Sequence, residues 1–91
     1  MHNNIQLYYD DVFDYQTGYA QILWLAEQAR LRGWYMTERQ LVHEIMQRER
    51  AAQIREQSSL PIVGPNVHSA AWNRGQADAL RMILHSQYEG A

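Results

Sequence analysis

Few side chains in this sequence stand at spacings that do chemistry, and the near misses narrow the reading. His43-Glu44 opens like the helical zinc-hydrolase pattern, in which a second histidine four residues after the first completes the metal pair. Position 47 is glutamine, so that pair is not made. His2, His68 and His85 share no ligand spacing with it, and the chain has no cysteine to act as thiolate ligand or nucleophile. Asp10, Asp11 and Asp14 form a carboxylate cluster that could meet a cation, yet carboxylates at a helix start account for them better. The five glycines, at 18, 33, 64, 75 and 90, are scattered and build no phosphate-cradling loop. They read as a bend, a cap, a turn, a packing contact and a tail. A non-enzymatic protein with no metal and no cofactor is therefore expected.

The composition points to binding instead. All eight basic side chains are arginine, beside six tyrosines, three tryptophans and one phenylalanine. Tyr, Trp and Arg concentrate at the centres of protein interfaces while Lys is depleted there. A guanidinium is a weakly hydrated planar fork that stacks and pairs bidentately, whereas an ammonium keeps its water. Codon bias towards arginine and aromatics that fill a small core are the plain alternative. Ninety-one residues make one domain, here spanning 1–91. A net charge of −2 argues against strong nonspecific phosphate binding. The longest apolar run, Ile22 to Ala26, falls far short of the roughly 18 residues a membrane span needs. The amino-terminal stretch lacks the basic and apolar regions of a signal peptide, so a cytoplasmic protein is expected.

Three helices must position whatever binds, and the expected fold is all-α: an antiparallel helical hairpin plus a third helix. The first helix is expected over about 10–32, after a lead-in at 5–9 read as extended or frayed. Val12, Tyr15, Tyr19, Ile22, Leu23, Ala26 and Ala29 recur at helical spacing along it. Asp10, Asp11 and Asp14 then sit near its positive end, Arg30 and Arg32 near its negative end, and Gly33 caps it. The second helix, 38–57, opens with a capping box from Thr37 to Gln40 and a hydrophobic staple between Met36 and Leu41. Its polar second half has little to bury and is expected to project, or to pack on another copy. Two prolines and a glycine break the chain at 58–66, an apolar loop expected to lie against the body. Asn66 is the expected cap of a third helix over 67–88, buried through Trp72, Ala79, Leu80, Ile83 and Leu84.

The candidate binding residues follow from these elements. Tyr8, Tyr9, Phe13, Tyr15 and Tyr19, interleaved with Asp10, Asp11 and Asp14, point in several directions around a helix, more than one core face can absorb. Tyrosine with carboxylate suits a basic or mixed protein surface. Trp34 and Tyr35 at the first turn join them, while Trp24 and Trp72, on apolar stretches, are assigned to the core. Arg48 and Arg55, seven residues apart, face an acidic partner or phosphates unless the neighbouring glutamates simply compensate them. Ala71, Gly75 and Ala79 form a small-residue ridge for self-association or for a tight crossing within one chain. The turn from Ala29 through Gly33 to Thr37 partly matches a helix-turn-helix, but Arg32 and Arg39 fall where that motif wants apolar residues.

The build resembles the small helical accessory proteins that phages and mobile elements encode, including inhibitors of host defence systems. The resemblance rests on size, missing catalytic signature and interface-like composition, and on no motif. It implies a helical interaction module, self-associating as a dimer or higher oligomer, that blocks or modulates a larger protein. A DNA-binding regulator using the second helix is the alternative, and an oligomer that binds a small ligand or nucleotide is the third.

Overall fold

A computed structural model describes residues 4–58 and 68–88, with side chains from residue 11 onward. Within them the chain forms three helices and no strand: α1 (Asn4–Leu31), α2 (Glu38–Gln57) and α3 (Ala70–Tyr88). The expected all-α, three-helix arrangement is what forms.

Nothing between Asn4 and Asp10 breaks a helix, and each residue added to a running helix gains a hydrogen bond. The helix accordingly begins at Asn4, correcting the extended lead-in expected at 5–9. That start also removes the dipole explanation for Asp10, Asp11 and Asp14. No acid lies in the first turn, where the dipole acts. The other end follows its local code. Gly33 adopts φ +75°, the Trp34 amide donates to the Ala29 carbonyl at 2.9 Å, and the Gly33 amide donates to that of Arg30 at 3.0 Å. These are the two crossed bonds of a Schellman cap.

Thr37 opens α2 with both arms of its capping box: the Gln40 amide donates to Oγ1 of Thr37 at 3.1 Å, and the Thr37 amide to Oε1 of Gln40 at 2.9 Å. For α3 the cap is Ser69, whose Oγ accepts from the Trp72 amide at 3.1 Å, so the helix starts later than the expected 67. Asn66 and the apolar loop from residue 59 lie outside the described residues.

The packing centres on α3. Helices α1 and α2 each lie along it, and they make no close backbone approach to each other. Glu56 pairs with Arg74, Glu49 with Arg81, and the Tyr88 hydroxyl donates to the Met36 carbonyl, so α2 runs antiparallel to α3 along its whole length. The polar half of α2 therefore packs on α3, with Ala52 fully buried, instead of projecting as expected. A helix covered from two directions needs small or polar-matched residues around most of its circumference. That is why Asn73, Gly75, Gln76, Ala77, Ala79 and Leu80 are all buried. Ile22, Leu41, Ile45, Ala77, Ala79 and Leu80 make the core, with Tyr19, Ile83 and Leu84 packed against it.

The α1–α3 contact is a crossing of two glycines. A Cβ built on Gly75 would lie 2.1 Å from the Tyr15 carbonyl oxygen, and one on Gly18 would lie 2.3 Å from that of Trp72. Gly18 is thus a packing contact and not the expected bend. Trp24 is also corrected. It lies largely exposed, because the run Ile22–Ala26 surrounds the helix and only one side of α1 faces α3.

A candidate binding cleft between α1 and α2

Because α1 and α2 make no close backbone approach to each other, a gap stays open between them where they leave the turn. It is a cleft of about 260 Å³. Its floor is one strip of α3, on which Leu80, Ile83 and Gln87 follow at helical spacing. Ile22, Leu25, Ala26 and Ala29 form the α1 wall, and Leu41 with Glu44 and Arg48 the α2 wall. Trp34, Tyr35 and Met36 stand at its mouth. The Schellman cap and the capping box fix both ends of that short connection, and the Arg32 guanidinium sits 5.8 Å from the Trp34 ring centroid. The two aromatic side chains remain largely exposed although their backbone is held.

The inner end of the cleft is polar and fully engaged. The Gln76 side-chain amide donates to Gln21 at 3.1 Å, and Nε of Arg48 donates to Gln76 at 2.9 Å. The same guanidinium bonds the Glu44 carboxylate and donates to its carbonyl at 3.3 Å. This relay ties all three helices together and pairs the polar side chains of the α2 wall with one another, while the α1 wall is apolar. A second relay crosses the opposite flank of α3. There the Tyr15 hydroxyl donates to Oδ2 of Asp78 at 2.5 Å, and Arg81 bridges Asp78 at 2.9 Å to Glu49. The Asp78 bond, burial and the Asp78 charge together push the Tyr15 hydroxyl from 10.0 up to about 12. In both relays each cation meets a carboxylate; Glu44 and Arg48 of the first border the cleft, and the second lies away from it.

The residues singled out in the sequence separate in space. Trp34, Tyr35 and Arg48 converge on the cleft, with the two aromatics at its mouth and Arg48 turned inward to Glu44 and Gln76. Arg55 is half-buried and does not line it. Asp11 is exposed and Asp14 half-buried on α1, away from the cleft; the side chains of Tyr8, Tyr9 and Asp10 lie outside the described residues. Gly75 and Ala79 are covered within one chain, and Ala71 is half-buried beside them. Among the described residues no group of three or more His, Asp or Glu side chains is placed to hold a metal ion. None of the described helices is long and apolar enough to cross a membrane.

No family model, curated protein or solved structure matches this chain.

Leu25, Ala26 and Ala29 line the cleft and are not among the binding residues that the sequence singles out. Their signal was present: α1 carries apolar residues on more sides than a single neighbouring helix can cover.

Proposed function

We propose that this protein is a non-enzymatic helical binding module that docks onto a larger protein by accepting one of its apolar side chains in the α1–α2 cleft. The observation that carries this reading is the cleft itself, with a mostly apolar lining, an α3 floor and two exposed aromatic rings at its mouth. Its size selects the class of occupant. Small-molecule pockets run from roughly 300 to 1,000 Å³, so about 260 Å³ suits an anchoring side chain better than a nucleotide-sized ligand. Buried anchors in such pockets, ringed by Trp, Tyr and Arg, carry most of the energy of protein interfaces. Engagement of Arg48 by Glu44 and Gln76 removes it as a phosphate hook, which also favours a protein partner over DNA.

The test compares the unaltered chain with Trp34→Ala and Leu25→Glu, both at exposed positions whose substitution leaves the core in place. Each tagged chain is used to capture proteins from lysate of the native host, and the retained species are quantified. A protein held by the unaltered chain should be depleted about 30-fold by each variant, the loss expected of a hot-spot truncation. Identical retention by all three chains would remove the cleft as the binding site.

A further inference from the structure

The outer side of α1 carries a second apolar feature on the face turned away from α3 and from the cleft. Phe13, Trp24 and Leu31 are 64%, 62% and 66% exposed. At 100° per residue they fall within about 20° of a single line along the helix. Ala20 lies on the same line and is exposed, with Thr17 and Glu27 close to either side of it. Gly18, Ile22 and Ala29 occupy the opposite side, which explains why α3 leaves this stripe bare.

From the spacing of these residues we infer that the stripe is the contact between two copies of this chain, with their α1 helices packed antiparallel about a two-fold axis level with Ile22. Phe13 and Leu31 are equidistant from residue 22, as are Thr17 and Glu27, and Ala20 and Trp24. A two-fold axis there brings each member of a pair level with the other member on the second copy, and Phe13, Leu31, Ala20 and Trp24 lie near enough to the centre line to meet. Phe13 then meets Leu31, and the Trp24 ring fills the space left by Ala20, a large residue against a small one in the central layer. Among the described residues Glu27 is the one charge on the stripe, and it is already held by Arg30 at 2.6 Å. A parallel pairing would instead set Trp24 against Trp24 and Glu27 against Glu27.

The exposed rings supply a large part of the area a dimer needs. At the ~200 Å² an aromatic ring can bury, the two Phe13 and two Trp24 rings bring roughly 500 Å² of exposed surface to the seam. The Leu31 pair and the flanking Gln16, Thr17 and Gln28 carry the contact towards the ~1,200 Å² where stable specific interfaces begin. This contact uses the opposite side of α1 from the cleft and stands independently of the cleft's occupant.

Sedimentation equilibrium on the full chain over a concentration series tests it, with far-UV circular dichroism confirming that every variant is folded. The unaltered chain should dimerise. Trp24→Ala and Ala20→Trp should each weaken the dimer about 30-fold, as loss of a central aromatic contact does. The double variant W24A/A20W exchanges large for small in the same layer and should restore most of the affinity. Because the chain has no cysteine, orientation can be read directly. An F13C chain mixed with an L31C chain should form disulfide-linked pairs faster than either alone. A monomer at every concentration, a dimer indifferent to Trp24→Ala, a double variant weaker than both singles, or preferential F13C–F13C pairing would each overturn the proposal.

Discussion

Tyr15 shows how a single side chain reports the assembly of all three helices. Its hydroxyl reaches Asp78 of α3, which is joined through Arg81 to Glu49 of α2. Ionising the phenol would replace a hydrogen bond with two facing anions, so the folded protein holds the proton up to about pH 12 against 10.0 in an unperturbed tyrosine. A group whose pKa is raised by folding contributes stability that is complete below its unfolded value and lost above it. The contribution of Tyr15 is therefore intact up to about pH 10 and declines as the pH rises towards 12. Urea unfolding at pH 8, 10 and 11 should show the unaltered chain losing stability more steeply across that window than Tyr15→Phe. Equal slopes for the two chains would show that the Asp78 bond does not govern this titration.

Among the elements, α1 and α3 are held at a distance that only glycine permits. Alanine normally improves an exposed helix interior by about 1 kcal/mol over glycine. At Gly75 the added methyl would meet the Tyr15 carbonyl at 2.1 Å, and backbone cannot swing aside as a side chain can. Gly75→Ala and Gly18→Ala should therefore reverse the usual sign and cost about 1–3 kcal/mol, as overpacking does. The corresponding fall in Tm is roughly 5–20 °C for a domain of this size, read by thermal melts. Variants as stable as the unaltered chain would refute the crossing.

Half of this crossing was legible in the sequence. Gly75 signalled a packing demand because it interrupts a helix between two alanines. Gly18 makes the same demand, but without a partner in view it looked like a bend. Elements encoded locally were the easiest to read: the Thr37–Gln40 box and the Gly33 cap are specified by residues within one turn. Trp24 was misassigned because an apolar run that encircles a helix does not say which side is covered. Its spacing from Phe13 and Leu31 carried that information. The cleft needed the third dimension. Its walls come from separate helices, and the gap exists only because α1 and α2 dock on α3 and not on each other.

At the scale of the whole molecule, α3 is the keystone. With the backbones of α1 and α2 each close to it and not to one another, the outer helices lose most of their packing once α3 lets go. The core formed by the described residues is thin. Leu41 is its one large side chain less than 2% exposed among the described residues, and alanines fill much of the remainder. Leu80 stands where the three helices meet, buried with Ile22 of α1 and with Leu41 and Ile45 of α2. Truncating it to alanine should cost about 2–5 kcal/mol, a large fraction of the roughly 5–14 kcal/mol expected for a chain of this length. The loss should be shared by every element, because no pair of helices excluding α3 can retain its packing. Urea unfolding of Leu80→Ala, followed by far-UV circular dichroism and by tryptophan fluorescence, should give one transition with coincident midpoints shifted to lower denaturant. Trp72 on α3 makes the fluorescence sensitive to the keystone, since its ring stacks on His68 at 3.6 Å, whereas helicity reports mainly the two outer helices. A fluorescence transition that precedes the loss of helicity would mean that α1 and α2 persist without α3. The dependence of the cleft on that shared support would then fail, because its walls would no longer be held by a common floor.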